Sequence, residues 1–366
     1  MTRKLALLNG LAILAVILNH AARWGLISMF GLVEEASPAI APGPGQTSGL
    51  GYLSLVAIQQ LCYFSVLAFL FISGYFMAYA ANAGDGRISW KVVRSRIVKL
   101  LWPYLIWSVI VFALDAVRGQ VYTPGEYLFN LVTGKTLGPY YYVPMLCQFY
   151  LLSPFICSLG KQRPKLLLAI AGAIQVIGLG YIYYKFTGLN PLGSALDYSA
   201  IAIWYAFFFP LGVVVGFHLK TFQTWLARWR QWFLVLAIGW GAASIVESEW
   251  LYRVLNNFED GHGMLKVTTG LYALCLILTL IAYDFNATRV TRLLNRLGTK
   301  SYGIYLLSPA LLYFAARFLG RFIPQLEAQP LILVVVLAAT AIGGTLLVME
   351  FVARSPARSA YRYLFG

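Results

Sequence analysis

The N-terminal stretch from Leu5 to Leu18 reads LALLNGLAILAVIL and directly follows Arg3 and Lys4. An apolar run behind basic residues is found both in signal peptides and in first transmembrane helices. No clear small-x-small cleavage site follows this run, and many further apolar runs come after it. We therefore interpret the stretch as the first transmembrane helix of a membrane protein.

The composition extends this interpretation to the whole chain. Of the 366 residues, 60% are hydrophobic and 11% are charged, whereas soluble domains carry about 25% charged residues. A spanning helix needs about 20 mostly apolar residues. The sequence predicts an all-α, polytopic membrane helix bundle of about ten transmembrane helices, forming one domain over residues 1–366. The predicted spans are 4–22, 52–81, 97–117, 140–159, 166–184, 200–218, 231–247, 266–283, 301–319 and 330–352.

The placement of charge decides between two classes of partner. A net charge of +15 could indicate nucleic-acid binding. If the N-terminus is cytoplasmic, every second segment between the predicted spans is also cytoplasmic. Most of the 28 Lys and Arg residues fall in these segments, and most acidic residues fall in the segments on the other side. This asymmetry is the positive-inside pattern. It predicts cytoplasmic N- and C-termini and no nucleic-acid partner.

The breaks on the predicted outer side are expected to be loops at 36–51 and 186–199, and a loop with a short helix at 248–265. The cysteines lie inside apolar runs without metal-ligand spacing, so we expect buried small hydrophobic residues and no metal site. They are Cys62, Cys147, Cys157 and Cys275. No nucleotide-binding, hydrolase or metalloprotease motif is present in the sequence.

His20 lies inside the first predicted span, 4–22. It follows Lys4 by sixteen residues, or about 24 Å at 1.5 Å per residue. Asn9 precedes it by eleven residues, and eleven steps of 100° return to within about 20° of the same face. Asn9 and His20 therefore form one polar stripe, as expected of a helix that faces the bundle interior or a water-filled cavity. A structural histidine is the alternative.

Other ionisable groups have simpler interpretations. His218 is expected at the inner interface, and His262 in a solvated, glycine-flanked outer loop. Glu247 and Glu249 close the seventh span, where they either mark the membrane boundary or share a polar cavity with His20.

A basic run begins the third span. Arg94, Arg96 and Lys99 either anchor the helix at the cytoplasmic face or hold the phosphates of a cytoplasmic ligand, for which arginine is well suited.

Several segments, in this order, resemble the acyltransferase family 3 membrane proteins, and among them the short forms that O-acylate surface polysaccharides. In the opening helix, Gly10 and the histidine ten residues later match the family pattern. The five matching segments are Leu7–His20, Phe71–Tyr75, Arg94–Tyr104, Tyr140–Phe155 and Ser301–Pro309. Two positions depart from the family: Asn9 stands where an arginine is usual, and Ser308 stands where a second histidine is usual.

This resemblance implies a membrane-bound O-acyltransferase with acyl-CoA, usually acetyl-CoA, as the cytoplasmic donor. The acceptor would be a hydroxyl of an exported or lipid-linked glycan, and a bacterial inner membrane fits best. His20 would take the hydroxyl proton or carry the acyl group, with Asn9 and Ser308 as hydrogen-bonding neighbours. Arg94, Arg96 and Lys99 would hold the nucleotide phosphates.

Two other functions stay open from the sequence. One is a glycan or lipid flippase or exporter without covalent chemistry, since basic inner clusters and aromatic-rich spans also suit transport. The other is a structural subunit of a polysaccharide assembly machinery. A narrow tunnel from Arg96 to His20 is expected of an acyltransferase, and a wide midplane cavity of a carrier.

Overall fold

The computed structural model describes residues 2–29, 49–81, 86–189 and 199–366, and most of the two predicted loops 36–51 and 186–199 lies outside these ranges. Fifteen α-helices and no strand are found in the described ranges. The helices are α1 Thr2–Met29, α2 Leu50–Cys62, α3 Phe64–Ala81, α4 Trp90–Val117, α5 Pro124–Thr133, α6 Tyr142–Gln162, α7 Pro164–Lys185, α8 Phe208–Phe217, α9 Leu219–Leu255, α10 Phe258–Gly261, α11 Val267–Ala282, α12 Arg289–Thr299, α13 Ser301–Phe322, α14 Pro330–Arg354 and α15 Tyr361–Phe365.

The predicted all-α membrane bundle is confirmed, and the protein is an integral, multi-pass membrane protein. Within the described ranges, eight helical stretches are long and apolar enough to cross a bilayer. The predicted spans 200–218 and 266–283 correspond to the shorter apolar helices α8 and α11, with 10 and 16 residues. At 1.5 Å per residue these measure about 15 and 24 Å, less than the roughly 30 Å of a hydrocarbon core.

Several predicted spans have different bounds in the structure: α1 continues to Met29 beyond the predicted 4–22, and α4 begins at Trp90, before the predicted 97–117. The predicted span 52–81 consists of α2 and α3, which are separated at Tyr63. The predicted span 231–247 lies inside α9, which has 37 residues, because no proline interrupts the chain on either side of the apolar run. The expected short helix in 248–265 is α10.

The chain divides into two compact units, each built from stretches that are distant in sequence. Unit 1 comprises Met1–Val66 and Trp229–Glu350, and unit 2 comprises Leu67–Arg228 and Phe351–Gly366. The helices of each unit are described separately.

In unit 1, α1 packs against α12 with direct backbone contact. A Cβ atom at Gly10 would overlap the carbonyl oxygen of Leu294, and a Cβ atom at Gly298 would overlap that of Ala6. Small residues at helix crossings let backbones approach closely inside membranes. The glycine that precedes His20 in the sequence motif is therefore needed for the position of α1 on α12.

Replacement of Gly10 by alanine should destabilise the protein by about 1–3 kcal/mol, as overpacking does elsewhere, because the new Cβ must push the Leu294 backbone away. Thermal unfolding of the purified protein in detergent measures this as a lower midpoint temperature. The matched control is Gly239→Ala on α9, where a Cβ atom would meet nothing within 4 Å. That variant should unfold at or above the wild-type temperature, and equal midpoints for both variants would contradict the α1–α12 contact.

An ion pair fixes the beginning of α1 in unit 1. Lys4 Nζ lies 2.8 Å from Asp284 Oδ1 and donates to the carbonyl oxygen of Ile281 at 2.9 Å. The hydrogen bond and the positive charge of Lys4 hold the pKa of Asp284 below its ordinary value. The basic start of the first helix is therefore attached to the end of α11.

In unit 2, α3 and α8 approach each other as closely as α1 and α12 do in unit 1. A Cβ atom at Gly74 would overlap the carbonyl oxygen of Phe209, and a Cβ atom at Gly212 would overlap that of Phe71. Glycines therefore allow close contact between helix backbones in each of the two units. The cysteines also behave as predicted: Cys62, Cys157 and Cys275 are buried, Cys147 is half-buried, and all four are free.

Candidate functional site

Asn9 joins α1 to the junction of α12 and α13. Its Nδ2 atom donates to the carbonyl oxygen of Gly298 at 2.5 Å and to Ser301 Oγ at 2.9 Å. Both acceptors belong to unit 1, and Ser301 is the first residue of α13. The polar stripe of α1 therefore faces the start of α13.

Helices α1 and α13 run in the same direction. Asn9 contacts Ser301 near one end, and fifteen residues further along α1, Trp24 packs edge-on against Tyr313 with ring centroids 6.0 Å apart. Tyr313 follows Ser301 by twelve residues. Two contacts that advance together along both helices define a parallel pair.

This pairing brings His20 and Ser308 to one interface. His20 shares the face of Asn9, and Ser308 follows Ser301 by seven residues, which is also a return to within about 20° of the same face. Interpolation between the two contacts places His20 and Ser308 within about one turn, or ~5 Å, of the same level. Ser308 is buried and His20 is half-buried. Asn9 and His20 thus lie on α1 and Ser308 lies on its parallel neighbour α13, and the catalytic role of the three residues stays a prediction.

The helix continues beyond His20 into an ion pair. Arg23, one turn after His20, makes two hydrogen bonds to the Glu259 carboxylate, at 2.9 and 2.7 Å. Glu259 lies in α10. The face of α1 that carries His20 is therefore adjacent to the short helix that follows α9.

The three basic residues of the second predicted site all lie in the first three turns of α4, in unit 2. At 100° per residue, Arg96 and Lys99 point about 60° apart, whereas Arg94 points 140° or more from either. Arg96 is half-buried, and Arg94 and Lys99 are exposed. The helix therefore brings Arg96 and Lys99 together and directs Arg94 to another side.

Arg96 has a polar neighbourhood inside unit 2. It lies close enough to Tyr150 of α6 to interact with it electrostatically, and Tyr142 and Tyr150 both lie beside Ser73 of α3. The residues belong to three of the sequence motifs, 71–75, 94–104 and 140–155. Those motifs therefore converge on one polar patch, while the motifs 7–20 and 301–309 meet in unit 1.

The expectation for His262 was wrong. This histidine is 2% exposed and not solvated, because Tyr52, Phe258 and Glu249 surround its ring. The glycines on both sides of His262 suggested a solvated loop, but Gly261 packs against the backbone of Tyr252 on α9. His218 is half-buried at the end of α8, with Nε2 3.0 Å from the carbonyl oxygen of Gly160.

The helices are long and apolar, and in unit 1 the helix α1 carries a polar stripe that includes His20. These features define the class of protein: a polytopic membrane protein with polar groups between its helices. The family model described as an acyltransferase domain matches residues 3–350. The chain belongs to this family, acyltransferase family 3. The resemblance carried by the five sequence segments is thereby confirmed.

One curated relative is the probable poly-beta-1,6-N-acetyl-D-glucosamine export protein of Staphylococcus aureus (strain MRSA252), which is 20% identical over 233 residues. The alignment covers 62% of this chain and 63% of that relative. No solved structure matches the chain.

Proposed function

We propose that the protein moves an acyl group from cytoplasmic acyl-CoA, with acetyl-CoA as the donor, to a hydroxyl of an exported or lipid-linked glycan. The observation that supports the proposal is the contact of α1, which carries His20, with α13, which carries Ser308, through Asn9 and Ser301. A half-buried imidazole on the polar face of a helix is a suitable place for proton transfer. The membership of the acyltransferase family supports the reaction class.

His20 is the catalytic residue in this proposal. A neutral imidazole either accepts the proton of the attacking hydroxyl or carries the acyl group between donor and acceptor. Asn9 and Ser308 act as neutral hydrogen-bonding neighbours. Since Asn9 is already bonded to Gly298 and Ser301, its contribution is to hold α1 in position.

The donor in this proposal is bound by the polar patch of unit 2. Arg96 and Lys99 hold phosphates of the acyl-CoA, because guanidinium and ammonium groups on one helix face make charge-assisted hydrogen bonds to phosphate oxygens. Arg94, on another side of α4, contributes charge at longer range. The membrane in this proposal is a bacterial inner membrane, and the protein works with polysaccharide assembly machinery.

A second function is favoured by the name of the relative, which is described as a probable polysaccharide export protein. In that case the chain moves a glycan across the membrane without forming or breaking covalent bonds. The replacement of charged family residues by Asn9 and Ser308 is compatible with such a protein.

Membranes that contain the overproduced protein, incubated with radiolabelled acetyl-CoA, separate the two functions. The acyltransferase should move label into the glycan fraction, and alkaline hydrolysis should release it as acetate because an ester was formed. Membranes without the protein are the control. Glycan that appears on the far side of the membrane without any label would contradict acyl transfer and support export.

A further inference from the structure

A buried polar cluster in unit 1 has no part in the function described so far. We call it the Glu249 cluster, and it consists of Tyr52, Gln60, Glu249, His262 and Lys266. Four of these residues are at most 2% exposed, and the side chain of Glu249 is 13% exposed. Ionisable groups that are buried within a membrane protein are costly, and they are functional candidates for that reason.

Only one oxygen of the Glu249 carboxylate is used within the cluster. Glu249 Oε1 accepts a hydrogen bond from the Tyr52 hydroxyl at 2.7 Å and lies 3.2 Å from His262 Nε2. Glu249 Oε2 is buried and has no hydrogen-bond partner in the part of the chain that the structure describes. A buried carboxylate oxygen without a donor is unfavourable, so this atom is suited to receive a donor from a ligand.

The residues around Glu249 are fixed by a network of hydrogen bonds. The carbonyl oxygen of His262 accepts from Gln60 at 3.1 Å and from Tyr63 at 2.9 Å. Lys266 Nζ donates to Gln60 Oε1 at 2.7 Å. The segment that carries His262 is held to α2 in this way, and the position of Glu249 is therefore set before any ligand arrives.

The segment that carries His262 lies directly on α9 and also contacts α1. A Cβ atom at Gly261 would lie 2.5 Å from the Cα atom of Tyr252, so the backbones are in contact there. Glu259, three residues before His262, forms the two hydrogen bonds to Arg23. Since Arg23 is one turn after His20, the segment links the Glu249 cluster to the helix that carries His20.

The charges of the cluster indicate which chemical class of ligand fits. Arg253 and Lys266 both lie close enough to Glu249 to interact with it electrostatically, and these basic groups disfavour a second cation beside the carboxylate. A neutral hydrogen-bond donor is then the best partner for Oε2. Hydroxyl groups are the donors that a saccharide offers in abundance.

From this geometry we infer that the Glu249 cluster is the binding site for the saccharide acceptor, in which one sugar hydroxyl donates a hydrogen bond to Glu249 Oε2. The inference rests on the proposed acyl transfer to a glycan, and it assigns the acceptor to residues outside the sequence motifs. Tyr52 and His262 are positioning residues, because they hold Oε1 and so direct Oε2 toward the ligand.

The first test uses the purified full chain with radiolabelled acetyl-CoA and an oligosaccharide of β-1,6-linked N-acetylglucosamine as acceptor. Glu249→Gln should raise the KM for the saccharide by about 10- to 100-fold, the value of one hydrogen bond to a charged group, and leave the KM for acetyl-CoA unchanged. The matched control is Glu247→Gln, since Glu247 bonds to Thr268 instead. An unchanged saccharide KM in Glu249→Gln would overturn the inference.

A second test needs no variant and is therefore independent of folding defects. A hydrophobic carbodiimide modifies buried carboxylates, and mass spectrometry of the wild-type protein follows the modification of Glu249 and Glu247 separately. The oligosaccharide should slow the modification of Glu249 but not that of Glu247. Equal rates with and without saccharide would overturn the acceptor site, whereas protection without any acyl transfer would preserve the site and contradict the proposed reaction.

Discussion

His20→Ala should lower the rate of acyl transfer by about 10²- to 10⁴-fold, the usual contribution of a positioned acid–base group. In the proposed reaction the imidazole is the general base among Asn9, His20 and Ser308, and neither an amide nor a hydroxyl can replace it. The measurement is the initial rate of label transfer from acetyl-CoA to glycan in membranes that contain equal amounts of each protein.

Two controls separate chemistry from packing in this prediction. His218→Ala removes a half-buried histidine that contacts Gly160 in unit 2, and it should leave the rate within about twofold of wild type, as expected for a site away from the chemistry. Added imidazole should partly restore the His20→Ala variant, because a free base can occupy the space that the side chain left. If His20→Ala kept wild-type activity, His20 would have no part in the mechanism.

The sequence predicted the helical fold and the first polar stripe because both depend on regular periods. Apolar runs of about 20 residues identify spanning helices, and a spacing of eleven residues identifies one face of a helix. The pairing of Asn9 with Ser301 could not be predicted in this way. It depends on the crossing of α1 and α12, which is set by tertiary contacts at Gly10 and Gly298.

The Glu249 cluster was missed for a related reason. Tyr52, Glu249 and His262 are far apart in sequence, and none of them lies in a recognisable motif. Glycines on both sides of a histidine usually indicate a turn at the surface, but here Gly261 provides a close contact with α9. Glu249 lies in a buried hydrogen-bond network with Tyr52 and His262, and the polar cavity shared with His20 stays a prediction.

The motifs also separate into two groups in the structure. Segments 7–20 and 301–309 meet in unit 1, where His20 and Ser308 lie on facing helices. Segments 71–75, 94–104 and 140–155 meet in unit 2 around Arg96. This division suggests separate tasks for the two groups, with proton transfer in unit 1 and donor binding in unit 2, and it makes the basic residues of α4 the next test.

Arg96→Gln should raise the KM for acetyl-CoA by about 10- to 100-fold, because one charge-assisted hydrogen bond to a phosphate contributes roughly 1.5–3 kcal/mol. Arg96 is half-buried near Tyr150, so its side chain is better ordered than that of an exposed arginine. Lys99→Gln on the same face should have a smaller effect of the same kind, since an exposed charge is more strongly screened.

Arg94→Gln is the matched control, because it removes the same charge from the same helix on a side that points away from Arg96 and Lys99. Its KM for acetyl-CoA should stay within about threefold of wild type, in line with the small effect of an exposed charge. If Arg94→Gln and Arg96→Gln weakened the donor equally, the three residues would act through general positive charge near the cytoplasmic face. A specific phosphate contact on one face of α4 requires the two variants to differ, and it requires the saccharide KM to stay the same in both.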